Sequence, residues 1–227
     1  MSIEEFSNEF DVLVDSYRRF KAYDEQANYD SVEFNEYEKS IFLTKAQEEI
    51  VLELYKGYNG ISESFETTEE TRRYLQSLVV KKELVADSSV AQELNTYYLK
   101  YNIPEDLWFI VSESFIENSN SKLVTPVLQD NLYKSLENPF RRPNNKRVLR
   151  MDLENQIVIL NTSDKGKYLI TYIKKLNPII LVDLNDITID GKNSIQNCEL
   201  NNSLHKRILE RAVALALQSK AIVNNKK

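Results

Sequence analysis

The chain changes its hydrophobic period twice, and few folds are compatible with that. Near the N-terminus, Ile3, Phe6, Phe10, Leu13 and Tyr17 recur at steps of three and four, the mark of one helical stripe. In EDLWFIVSESFI the apolar character alternates instead. Leu107, Phe109 and Val111 fall on one side, and Trp108, Ile110 and Ser112 on the other, as in a strand. SLHKRILERAVALALQ returns to helical spacing, with Leu204, Ile208, Leu209, Ala212, Val213 and Ala216 on one broad face. The expected fold class is α+β: an N-terminal helical bundle, a β-rich central and C-terminal part, and a long C-terminal helix packed back on the body.

Local signals set the boundaries. Ser2 and Glu5 form a capping-box pair at the start of a helix over about 3–20. Residues 22–34 lack periodicity and read as a loop. A helical region begins near Asn35. Thr44 with Gln47 reads as a further cap before a helix over about 45–58, which carries Ile50, Val51, Leu54 and Tyr58 and is ended by Gly57 and Gly60. Thr67 with Glu70 opens another helix that runs to about 79. KKELVADSS reads as a short strand and turn, and KLVTPVL as an edge strand because Pro126 cannot donate to a ladder. QDNLYKSLEN reads as a short helix near 129–138, capped by Asp130 and stopped by Pro139. KRVLRMD, NQIVILN, GKYLITYIKK and PIILVDL read as four more strands, with Gly166 in the hairpin loop NTSDKG. Asn202 is the expected cap of the last helix. The expected organisation is a helical bundle over 1–80, a β-rich part over 81–200, a C-terminal helix over 201–223 completing the core, and a frayed tail over 224–227.

Composition narrows the function. No run of 18 apolar residues exists, so no transmembrane helix is expected. The acidic start MSIEEFSNEFD is unlike a signal peptide. One cysteine, Cys198, allows no intrachain disulfide, and an intracellular origin follows as the natural reading. Only Gly57, Gly60, Gly166 and Gly191 occur, and none sits in a loop able to cradle a phosphate.

No catalytic, metal or cofactor set is expected. The single histidine, His205, lies on the first turn of the last helix with no nucleophile paired to it by motif. Cys198, in QNCEL, reads as a buried, inert thiol. One Cys and one His cannot make a structural zinc site. Asp183, Asp186 and Asp190 resemble a calcium loop only in density, without its regular spacing or closing glutamate. Glu48, Glu49, Glu69 and Glu70 sit beside capping signals, where acids complement the helix dipole. Thirteen tyrosines suit protein interfaces, because the ring can be buried while its hydroxyl stays wet.

Charge is the remaining lead. Residues 1–120 hold 25 acids and 11 bases, a net −14, while residues 121–227 hold 10 acids and 18 bases, a net +8. The positive charge concentrates in NPFRRPNNKRVLR, residues 138–150. That cluster reads as a solvated loop, a phosphate contact, a membrane-attracted patch, or a partner for an acidic protein surface. The membrane reading is weak without a basic amphipathic helix. Phosphate contact would give a DNA-binding accessory protein, touching backbone rather than bases. The last reading uses the whole charge map. A chain with ends of opposite sign is self-complementary head to tail, and such contacts close into rings when the rotation per subunit divides the circle. Arg141, Arg142, Lys146, Arg147 and Arg150 are then the expected subunit or ring contact. Pro139 and Pro143 would stiffen the loop that carries most of them.

The stretches EYEKSIFLTKAQEEIVLELY, ETTEETRRYLQSLV, NPFRRPNNKRVLR and CELNNSLHKRILERAVALAL resemble, in order, a series shared by head-to-tail ring proteins in the virions of crAss-like, short-tailed bacteriophages. The resemblance implies a structural connector or adaptor subunit rather than an enzyme. It implies a homo-oligomeric ring of twelve copies that binds the portal protein or another ring and leaves a central channel for DNA. It also implies a place at the head-to-tail junction or tail of the virion, after assembly in the bacterial host cytoplasm.

Overall fold

The computed structural model describes residues 1–25, 33–56, 69–92 and 96–224. The chain forms two compact units. One combines Met1–Leu78 with Leu176–Lys227, and the other is Val79–Lys175. The structure is mixed α and β, with helices at both ends of the chain and a curled eight-stranded sheet between them in sequence.

In the helical unit, α1 (Ile3–Glu25) opens with the expected capping box. The Ser2 N–H donates to Glu5 Oε2 at 2.7 Å and the Glu5 N–H to Ser2 Oγ at 3.2 Å. Its buried row is Phe6, Phe10 and Val14, while Leu13 is half-buried and Tyr17 exposed. Residues four apart lie about 40° apart around a helix, so these three share one face. Helix α2 (Glu36–Lys56) is continuous and starts with a second reciprocal box, between Asn35 and Glu38. Thr44 and Gln47 therefore cap nothing. The short α3 (Glu69–Leu75) passes into a 3₁₀ turn at Gln76–Leu78, ahead of the expected end near 79. The expected helix stops at Gly57 and Gly60, the Thr67 cap, most of the 22–34 loop and all but Asn224 of the tail lie outside the described residues.

Helix α5 (Asn202–Asn224) buries the whole predicted face from Leu204 to Ala216. Its cap is one residue earlier than expected, since Asn201 Oδ1 accepts the Ser203 N–H at 3.1 Å. It runs antiparallel to α2, with Arg207–Glu53 at 2.7 Å, Arg211–Glu49 at 2.6 Å and Lys220–Glu38 at 3.9 Å.

PIILVDL is not a strand of the sheet. Its backbone pairs with a buried polar row on α2 instead. Ser40 Oγ accepts the Leu181 N–H at 3.0 Å, Thr44 Oγ1 accepts the Ile179 N–H at 3.1 Å, and Gln47 Nε2 donates to the Asn177 carbonyl at 2.7 Å. Alternate residues of an extended segment thus meet positions i, i+4 and i+7 of a helix. Buried backbone groups need partners, and here side chains supply what a neighbouring strand would have supplied. The N–H and carbonyl of Ile180 face the other way and bridge to Gln196, and Ile180 clusters with Leu184 and Ile189 against Tyr37 and Ile41 of α2. Periodicity cannot distinguish this from a sheet strand.

The sheet unit contains β1 (Val79–Val85), β2 (Ser88–Gln92), β3 (Thr96–Asn102), β4 (Leu107–Glu117), β5 (Asn120–Pro126), α4 (Leu132–Glu137), β6 (Arg147–Asp152), β7 (Gln156–Asn161) and β8 (Lys167–Lys174). The strand order is β1-β8-β4-β5-β6-β7-β3-β2. The two end strands are separated in sequence only by Ala86 and Asp87, so one bent segment serves both ends and the sheet curls on itself. Leu99, Tyr101, Phe115, Val148, Ile157, Ile159, Tyr168, Ile170 and Tyr172 fill the inside. On the outside, Leu132 and Leu136 of α4 cover Leu149, Met151, Val158 and Leu160. That double covering explains why β7 reads as a continuous apolar run.

Three expectations fail here for identifiable reasons. Strand β5 is interior, antiparallel to β4 and parallel to β6, and Pro126 is tolerated because it is the last residue. Two irregularities in the β4–β8 pairing bring Leu107 and Ile110 to the same core, which breaks the two-faced alternation. Asp130 lies within a 3₁₀ turn at Gln129–Asn131 and caps nothing, whereas α4 does end before Pro139.

Candidate interaction surface

The basic loop between α4 and β6 is built by two asparagines. Asn138 Oδ1 accepts the Phe140 N–H at 2.9 Å, and its carbonyl accepts the Arg141 and Arg142 N–H groups at 3.0 and 2.9 Å. Asn144 Oδ1 accepts the Lys146 and Arg147 N–H groups at 2.8 and 3.0 Å. Such Asx turns hold backbone without a strand partner. Arg147 ties the two turns together by donating from Nη2 to the Phe140 carbonyl. Phe140 is left 85% exposed, with the exposed Arg141 and Arg142 beside it in sequence. An open groove of about 740 Å³ lies alongside, lined in part by Glu137, Arg142, Asn144, Lys146, Thr96 and Thr162.

The five predicted cations therefore divide. Arg141, Arg142 and Lys146 face solvent, and Arg147 braces the loop. Arg150 is only 12% exposed, pairing with Glu113 at 2.8 Å and Asp152 at 3.0 Å. It lies opposite Ile159, a residue of the inner core, so its side chain is used inside the sheet unit. Tyr168 Oη donates to the same Glu113 carboxylate. Burial disfavours the Arg150 charge, but the bond to and charge of Glu113 outweigh it and raise its pKa. Burial, reinforced by Glu113, likewise raises the pKa of Tyr168. Arg150→Ala is expected to cost about 3 kcal/mol in stability, because it leaves Glu113 without its cation. Arg141→Ala and Arg142→Ala are expected to stay within about 0.5 kcal/mol. Urea denaturation of the three variants measures the difference, and equal losses would contradict this division.

The chemical candidates have structural duties. His205 is buried, with Nε2 donating to the Leu200 carbonyl at 3.1 Å, Nδ1 accepting from the Met1 amino group at 2.9 Å, and its ring against Phe6. Burial and the nearby amino charge lower its pKa against the raising effect of the Leu200 bond. Burial raises the Cys198 pKa, which disfavours a thiolate. Asp183 Oδ1 accepts the Ile195 N–H at 2.8 Å. Glu49 pairs with Arg211, Glu69 with Arg73, and Glu70 accepts from Tyr74. Burial and Asp190 raise the Glu48 pKa. Among the described residues no three His, Cys, Asp or Glu side chains converge as a metal site, and no helix is long and apolar enough to cross a membrane.

Folding redistributes the charge. The bases of α5 sit against the acids of α2, so part of the N-terminal negative charge is neutralised within the chain. The helical unit holds 23 acids and 15 bases, and the sheet unit 12 acids and 14 bases. The units still differ in sign, by less than the linear count implies.

A family model described as phage tail ring protein 3/4 matches residues 1–227. Ring protein 3 of Bacteroides phage crAss001 is 39% identical over a 238-residue alignment that covers 100% of both chains. Ring protein 4/5 of the same phage is 29% identical over 228 residues, covering 95% of this chain and 92% of that one.

Proposed function

We propose that this chain, which belongs to the phage tail ring protein 3/4 family, is a non-enzymatic structural subunit of a ring in the phage virion. In this reading its copies close a circle of twelve around the DNA channel, docked on the portal or on an adjacent ring. The ring stands at the head-to-tail junction or in the tail and is assembled in the host cytoplasm. The observation that carries the reading is the family match over the full chain. The preorganised basic loop supports it, because a rigid exposed segment loses little entropy when it binds.

Mass measurement of the purified protein, alone and with the portal protein, tests the proposal. A species of about twelve times the 26.5 kDa chain mass is expected. A monomer at every concentration, with and without the portal, would overturn it. The three exposed cations Arg141, Arg142 and Lys146 also favour a second reading, a DNA-binding accessory protein. That reading requires salt-dependent DNA binding with a log–log slope of about −3.

A further inference from the structure

We infer that the basic loop docks on the outer face of α1 in a second copy of this chain, with Phe140 as an apolar anchor against Val12. This rests on the ring reading and names the two surfaces that meet.

Residues 3–17 contain five acids and no base. Asp11 is drawn inward by the buried Lys39, at 2.7 Å. Glu4, Glu5 and Glu9 remain exposed, without a cationic partner among the described residues. The acids of α2 differ, because Glu38, Glu49 and Glu53 face cations of their own α5. Glu5, Glu9 and Val12 are spaced by four and three and so share one strip of the helix surface. Val12 is 67% exposed, the apolar point in an acidic strip.

The loop presents the complement: Phe140 at 85% exposure, with Arg141 and Arg142 following it and Lys146 on the same Asx-turned segment. An aromatic anchor ringed by charges is the arrangement that concentrates binding energy at protein interfaces. Charge steers the encounter and sets register, and the apolar contact slows dissociation. Each copy carries both surfaces, so the contact is heterologous and propagates from copy to copy until the circle closes.

The test uses full-length chains with Cys198→Ser. One preparation carries Val12→Cys and a second Phe140→Cys. Mild oxidation of the mixture is expected to link the two chain types to each other, since a disulfide forms only between closely apposed Cβ atoms. Either preparation alone should give no such product. In parallel, Glu4→Lys with Glu9→Lys, or Arg141→Glu with Arg142→Glu, should each weaken assembly about tenfold at low salt. Placing all four changes in one chain should restore it. Thermal melts of each variant verify folding. A wild-type chain that never associates removes the ring reading and this contact together. Wild-type rings that withstand both reversals, or that yield only to the loop reversal, remove this contact and leave the ring reading standing. The same follows if the loop reversal abolishes DNA retention while assembly is unchanged.

Discussion

Lys122→Met is expected to destabilise the sheet unit by about 3–5 kcal/mol, the cost of leaving a buried charge without its partner. Lys122 is 3% exposed on the inner face of the sheet. Its ammonium lies 2.5 Å from Glu117 Oε2 and 2.8 Å from Asn161 Oδ1. Glu117 is 13% exposed and Asn161 fully buried, so water cannot replace the lysine at either. Burial raises the Glu117 pKa, but bonds to Lys122, Ser163 and Asn161 and the lysine charge outweigh it, and the net shift is downward. A carboxyl whose pKa falls on folding contributes stability fully above its unfolded pKa and loses it as pH falls through the folded value. The gap between wild type and Glu117→Gln should therefore narrow in acid. Trp108, the single tryptophan, lies in β4, so its fluorescence in urea follows this unit in the intact chain. A loss below about 1 kcal/mol for Lys122→Met would show that the pair is solvated.

Gly166→Ala is expected to cost about 3 kcal/mol or more. A Cβ at Gly166 would lie 2.0 Å from Phe115 Cζ and 2.4 Å from Cε1, at a φ of +154°. Phe115 is fully buried among Tyr101, Tyr168 and Ile170, and cannot retreat without disturbing them. The Tyr101 hydroxyl also donates to the Gly166 carbonyl at 3.1 Å, which fixes the backbone. Gly166→Ala with Phe115→Leu should be more stable than the sum of the single losses predicts, because the smaller side chain vacates the contested space. Additive losses in urea denaturation would place the strain elsewhere.

The elements that could be read from sequence were those whose burial follows one period. The apolar face of α5 and the Ser2–Glu5 box are examples, since both depend on neighbours three or four residues away. Where long-range partners decide, the pattern misleads. PIILVDL has strand spacing, yet Ser40, Thr44 and Gln47 satisfy its backbone. Thr44 and Gln47 in turn look like capping residues, because nothing local shows that they are buried. The interior place of β5 depends on a parallel pairing with β6 across α4. Charge clustering marked the 138–150 loop as the surface of interest, but could not tell Arg141 from Arg150. Glu113 separates them, 37 positions away from Arg150 in sequence. Nor does the sequence show that Phe140 is left 85% exposed.

The helical unit is discontinuous, with its two parts separated in sequence by the whole sheet unit. A ribosome therefore finishes Val79–Lys175 before it makes α5 or the segment that lies along α2. The interior of the helical unit closes only after α5 emerges, because Leu204 to Ala216 belong to it. Until then the N-terminal helices lack their apolar cover. The α1 face of the contact proposed above is thus backed by its core only once α5 has been made.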